Sequence, residues 1–223
     1  LAGDTIYNGA VDNATGVAGL LTIARAYRQL LATPSRSVLF LAVTAEESGL
    51  IGSEHYARNP LVPLEKTAAV INMDGLQPLG RARDIEVVGS GASELELLLA
   101  DAAKRQGRVV KPDSRPEHGY FYRSDHFNLA KQGVPALYTK SGVDLRDRPP
   151  GTGQAMLDAY TRERYPKQTH EYDPAWDVSG SIEDLRLLFE VGLRVATSPV
   201  WPEWSVDSEF RALREESRAA RRP

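Results

Sequence analysis

Apolar positions follow two different rhythms along the chain. From Val17 the residues Leu20, Leu21, Ala24, Tyr27, Leu30 and Leu31 keep the spacing of one helix face, which predicts a helix from about Ala14 to Ala32, stopped by Thr33-Pro34-Ser35. The rhythm then changes. Val38 to Ala45 is an unbroken apolar run too short for a helix, and it reads as a strand buried on both faces. A short helix through Glu54, His55, Tyr56 and Ala57 ends at Asn59-Pro60; Ala68 to Met73 is a second apolar strand, and Asp84 to Gly89 alternates as a third. Ser93 to Gln106 is an amphipathic helix with Ser93 as candidate cap, Arg108 to Lys111 and Val134 to Thr139 are further strands, and Ser181 to Thr197 is a long amphipathic helix. Gly142 to Gln154 holds Pro149 and Pro150, has no periodicity, and reads as a surface loop. Strands alternating with helices in this order predict an α/β fold.

Composition narrows the partners. The 223 residues are 42% hydrophobic and 26% charged, an ordinary globular balance, with a formal net charge of −3 and no basic block, so nucleic acid is not an expected partner. No apolar run approaches the roughly 18 residues of a membrane span. Cysteine is absent, which removes disulfides, thiol catalysis and thiolate metal sites. The first residues, LAGDTIYNGAVDN, read as the middle of a loop, so an N-terminal portion is expected upstream, with any signal peptide. Residues 1–199 are expected to form a catalytic domain lacking its N-terminal part. Residues 200–223 are expected to be a charged tail, its two tryptophans packing back and Glu209 to Arg222 a charged helix or frayed end.

Four acids stand where chemistry would be expected. Glu46 and Glu47 follow one apolar strand, Asp74 follows the next, and Asp12 precedes the first helix. Ligands of α/β proteins sit beyond the carboxyl ends of the strands, so all four would open onto one edge. Each also has a plainer reading, the Glu pair as a solvated turn and Asp12 or Asn13 as a helix cap. Converging uncompensated carboxylates repel, and a divalent cation resolves that conflict. Oxygen donors with a histidine suit Zn²⁺, and a carboxylate bridging two ions makes a two-metal hydrolase site.

Four segments together carry a resemblance. Gly9-Ala10-Val11-Asp12-Asn13-Ala14-Thr15-Gly16, Glu46-Glu47-Ser48-Gly49-Leu50-x-Gly52-Ser53, Asn72-Met73-Asp74 and Ser124-Asp125-His126 resemble, in order and approximate spacing, the M28 family of zinc-dependent exopeptidases. The resemblance implies a three-layer α/β/α fold with a mixed, largely parallel central sheet. It implies two zinc ions, Asp12 bridging them, Glu47 and Asp74 each binding one, Glu46 as general base, and Asp125 as a carboxylate behind the reaction centre. The alternative for Asp125 is a helix cap with His126 buried behind it.

The family's first histidine ligand lies upstream of the aspartate matched by Asp12, so the chain is one ligand short. Many relatives place a Tyr-His pair before Glu-Tyr-Asp-Pro-x-Trp-Asp, the tyrosine donating to an oxyanion and the histidine binding zinc. Here Tyr165 is followed by Pro166, and His170 either takes over as ligand or is a surface histidine beside a lost site. The implied activity is hydrolysis of a peptide or dipeptide near a chain end, with aminopeptidase favoured over carboxypeptidase. The rivals are a glutaminyl-cyclase-like transferase with one zinc on Asp12, Glu47 and His170, and a degenerate non-catalytic domain. The resemblance points to a periplasmic or secreted home and leaves oligomeric state open. The isolated chain is expected to bind zinc weakly and turn over little.

Overall fold

The computed structural model describes residues 6–165 and 167–221. Four strands form a mixed sheet: β1 (Val70–Asn72), β2 (Asp84–Val87), β3 (Val109–Pro112) and β4 (Ala136–Ser141), in the order β1-β4-β2-β3. β1 pairs with β4 in parallel, as β2 does with β3, while β2 and β4 run antiparallel. The helices are α1 (Gly16–Arg28), α2 (Ile51–Arg58), α3 (Leu95–Arg105), α4 (His126–Ala130), α5 (Thr152–Glu163), α6 (Ser179–Thr197) and α7 (Arg211–Arg221).

The twofold alternation of the strands divides the core between two faces. Ile85, Val87 and Leu137 point into a cluster with Ile23 of α1, Leu95 and Leu99 of α3, and Leu187, Leu188 and Val191 of α6. Ala136 and Tyr138, alternating with Leu137, point the other way, into a cluster with Phe121, Ala130, Trp204 and Phe210. Helices therefore cover both sides of the sheet, the expected α/β arrangement.

A buried ion pair joins α6 to the sheet. Arg108, just ahead of β3, donates to Asp184 Oδ1 at 2.7 Å and to the Asp84 carbonyl at 2.6 Å, and Ser141 Oγ donates to Asp184 Oδ2 at 2.7 Å. Both charged side chains are almost wholly out of solvent. Such a pair is sustained by its hydrogen bonds, which offset the cost of removing two charges from water.

Two expectations are corrected, and a third is filled in. Val38 to Ala45 forms no ladder, and Val38 and Leu39 are 39% and 50% exposed rather than buried on both faces. An apolar run states what surroundings a segment needs, not whether a partner strand lies beside it, and among the described residues none pairs with this one. The loop expected to run to Gln154 gives way at Thr152 to α5, whose only buried residue is Gly153 and which therefore shows no apolar stripe. Residues after Val200 are folded back: Trp204 and Phe210 are buried, Trp204 Nε1 donates to the Gly133 carbonyl at 3.0 Å, and Arg214 donates to the carbonyls of Thr67 and Ala68. Gly133, at φ +83° with the Arg214 backbone where a Cβ would stand, leaves room for that approach.

Candidate active site

Asn13 builds the first wall of the site. Its Oδ1 accepts the N–H groups of Gly16, which opens α1, and of Gly75, while its Nδ2 donates to the Met73 carbonyl at 3.1 Å. Thr15 adds a second stitch, since the Leu76 N–H donates to its Oγ1 at 2.9 Å. Asn13 thus does the capping left open between it and Asp12, and Asp12 is free to face the turn after β1. The Asp12–Asn13 peptide is cis.

Asp74 is held from behind by a relay. Asn72 Nδ2 donates to Ser124 Oγ at 2.8 Å, Ser124 Oγ donates to Asp74 Oδ2 at 2.9 Å, and Tyr138 Oη donates to the same oxygen at 3.3 Å. These bonds favour the carboxylate, yet burial, and next the charge of Asp12, raise the Asp74 pKa.

Glu46 and Glu47 sit on a tight turn. Ala45 before them and Leu50 after them occupy the left-handed region at φ 57° and 61°, which is uncommon outside glycine. The Gly52 N–H closes the turn on the Thr44 carbonyl at 3.0 Å, an oxygen that a Cβ at Gly52 would meet at 2.3 Å. Glu46 is half-buried and Glu47 exposed. Burial pushes the Glu46 carboxyl up to about 7, assisted by the charges of Asp74, Glu47, Asp125 and Asp12. The acids predicted at separate strand ends therefore lie within electrostatic reach of one another, although Glu46 and Glu47 follow an extended segment and not a strand of the sheet.

Asp125 opens α4 without a side-chain capping bond, so the cap reading is not realised. Its Oδ1 is buried without a partner, and its pKa is raised by burial, with Asp74 adding to the shift. His126 lies behind it, 1% exposed, between the rings of Phe121 and Tyr138 at 4.6 and 5.1 Å.

His170 is buried, which removes the surface-histidine reading. Its Nε2 accepts the Val11 N–H at 2.9 Å and contacts Tyr160 Oη, so it braces the loop that carries Asp12. With Nε2 accepting, the ring proton is assigned to Nδ1. Burial lowers the His170 pKa, against the opposite pull of Asp12. Tyr165 hydrogen-bonds to Asp12. Pro166 lies outside the described residues.

Sequence reasoning missed the holders of these acids. Ser124 stands in the Ser124-Asp125-His126 motif without a role, Tyr138 is one letter of an apolar strand, and Tyr160 lies in a stretch where only Tyr165 and His170 were given roles. A cavity of about 260 Å³ next to Tyr160 is lined by Gln77, Pro78, Leu79, Met156 and Trp176. Among the described residues no three of His, Asp and Glu lie close enough together to hold an ion. The donor set has the chemistry a divalent cation requires, with Asp12 raised by burial and the charge of Glu47, and Asp74 by burial and the charge of Asp12.

The profile of Peptidase family M28 matches residues 2–187. The chain belongs to peptidase family M28. It is 43% identical over 76 residues to Aminopeptidase NAALADL1 of Mus musculus, a match covering 32% of this chain and 10% of that protein. It is 40% identical over 74 residues to the Glutamate carboxypeptidase 2 homolog of Caenorhabditis briggsae, covering 31% and 10%. Among solved structures, the LapA aminopeptidase of Legionella pneumophila superposes with a TM-score of 0.63 at 17% identity, over 90% of this chain and 49% of that one. The aminopeptidase from Aneurinibacillus sp. strain AM-1 gives 0.58 at 22%, over 86% and 41%. The matches thus span about half or less of these solved chains and a tenth of the curated relatives.

Proposed function

We propose that this chain carries the reaction centre of a zinc-dependent exopeptidase, acting on the amino end of peptides or dipeptides. The observation that supports the reading best is the gathering of Asp12, Glu46, Asp74 and Asp125 out of solvent, where burial first and neighbouring carboxylates second raise the pKa of every one of them. Asp12, Glu47 and Asp74 are the residues that would hold zinc, drawn closer together than they now stand. His170 joins them only by giving up the Val11 N–H that its Nε2 now accepts. When bound, zinc supplies Lewis acidity at the scissile carbonyl and makes water a stronger acid.

Glu46 takes the proton of the attacking water and returns it to the leaving amine, a role suited to a carboxyl poised at about 7. Ser124 and Tyr138 fix the lone pairs of Asp74 by occupying Oδ2. Tyr165 would donate a hydrogen bond to an oxyanion by turning its hydroxyl away from Asp12, and the cavity beside Tyr160 would receive a side chain. Free carboxylates near the centre also suit the α-ammonium of a substrate. One solved relative, from Shewanella amazonensis, is described as a precursor, which supports an extracytoplasmic home.

The test uses zinc-loaded full-length protein and leucine p-nitroanilide. Glu46→Gln is expected to lower kcat by about 10²- to 10⁴-fold with zinc content unchanged. Two ions per chain support the hydrolase over a one-zinc cyclase. Wild-type protein that hydrolyses nothing, or a variant that matches it, sinks the reading.

A further inference from the structure

Lys140 belongs to no part of this machinery. The pairing of β1 with β4 sets Asn72 opposite Tyr138, and Lys140, two residues further along β4, lies near enough to Asp74, beyond the end of β1, for their charges to interact. Tyr138 and Lys140 are two apart and share a face, the one from which Tyr138 reaches Asp74. Lys140 therefore stands on the reaction side of the sheet, one strand from a proposed metal ligand.

Its surroundings are unusual for a lysine. The side chain is half-buried, and its ammonium lies 3.4 Å from the centroid of the Tyr120 ring. Among the described residues no carboxylate comes within ion-pair distance of it, although Glu86 is its cross-strand neighbour and the charges of Glu86, Asp113 and Asp74 reach it. Lys111, by contrast, is more exposed and is paired with Asp84 at 2.8 Å. Burial, with the nearby charge of Arg115, lowers the Lys140 pKa against the pull of Glu86, Asp113 and Asp74. A half-desolvated ammonium resting on an aromatic face, with no carboxylate in ion-pair contact, is a preformed anion anchor. Tyr120 restricts the flexible stem, so less side-chain entropy is lost on binding.

We propose that Lys140 is a specificity-determining residue that binds a carboxylate of the substrate, one or two residues beyond the scissile bond. A peptide unit advances about 3.5 Å, so that spacing matches the separation of neighbouring strand ends. The inference rests on the exopeptidase reading and adds the substrate class: short peptides ending in a free carboxylate, or peptides with an acidic residue after the scissile bond.

The first measurement is kinetic, on zinc-loaded full-length protein. Leu-Ala is compared with Leu-Ala-amide and with Leu-Glu-amide, whose only carboxylate is on the side chain. Wild-type KM is expected to be about tenfold lower for the acid that fits, Leu-Ala if the α-carboxylate is bound and Leu-Glu-amide if the side chain is. In Lys140→Met, which keeps the apolar stem on Tyr120, that ratio is expected to fall to about one; Lys140→Arg is expected to restore part of it. An unchanged ratio in Lys140→Met, or no preference in wild type, overturns the proposal.

The second measurement does not depend on turnover. N-acetylglycine and N-acetylglycinamide are titrated by NMR against protein labelled at lysine Nζ. A Lys140 shift with the acid alone, in a protein that hydrolyses nothing, sinks the exopeptidase reading and keeps the anchor. The absence of any acid-specific shift sinks the anchor.

Discussion

His126 gives the sharpest physical test of this structure. Its ring is 1% exposed, neither nitrogen has a hydrogen-bond partner among the described residues, and burial holds its pKa at about 3 against an ordinary value of 6.5. The native state therefore holds this ring neutral, whereas the unfolded chain takes up a proton below pH 6.5. For a base depressed on folding, stability is fully present above 6.5 and is lost as pH falls towards 3. Each pH unit below 6.5 removes about 1.4 kcal/mol, so that about 3 kcal/mol is gone at pH 4.5. That is a large share of the roughly 5–15 kcal/mol that stabilises a typical domain. The raised carboxyls of Asp12, Glu46, Asp74 and Asp125 act in the opposite sense, because the native state takes up their protons first as pH falls. A single stability curve therefore mixes both effects, and the difference between wild type and His126→Leu separates them. Leucine fills the pocket between Phe121 and Tyr138 without a titratable group and removes two unpaired polar atoms. Urea denaturation at pH 7.5, 6.0, 5.0 and 4.5 is expected to show a variant at least as stable as wild type at pH 7.5 and about 3 kcal/mol ahead at pH 4.5, with equal slopes. Curves that stay parallel down to pH 4.5 would refute the reasoning.

Two further perturbations probe the frame around the site. Asp184→Asn leaves the Arg108 guanidinium buried without its counter-charge, and is expected to cost about 3–5 kcal/mol and lower Tm in a thermal melt; an unchanged Tm would mean that the pair is already hydrated. Asn13→Ala removes the acceptor for two N–H groups and the donor to Met73, and is expected to cost about 1–3 kcal/mol and to weaken zinc binding at least tenfold by calorimetry, because Asp12 is no longer stitched to the turn that carries Asp74. Zinc affinity equal to wild type would show that Asp12 is positioned by something else.

Much of this was legible from residue order. The periodicity from Val17 gave the presence of α1 but not its buried face, since Ile23 and Tyr27 reach the core while Leu21 and Leu31 stay exposed; the alternation of Asp84 to Gly89 gave β2, whose Ile85 and Val87 do meet the core. The acids that follow two apolar runs were legible as neighbours, and their charges do reach one another. Pairing was not legible, since Val38 to Ala45 has strand composition but, among the described residues, no strand pairs with it. Nor was α5, a helix that starts at a left-handed Gly151 and turns most of its surface to solvent. The hydrogen-bond relay from Asn72 through Ser124 to Asp74 spans 52 and 50 positions of sequence, and only the completed sheet brings its members together.

The fold-back of the last helix has a consequence for how the protein is made. Arg214 satisfies backbone oxygens just ahead of β1 that lie 147 and 146 residues earlier in the chain. At a translation speed of roughly 5–20 residues per second, those oxygens wait on the order of ten seconds or more for their guanidinium. The start of the edge strand β1, at the end opposite Asp74, thus gains these backbone partners only once α7 has been made, and until then the nascent chain stays open there to chaperones and proteases.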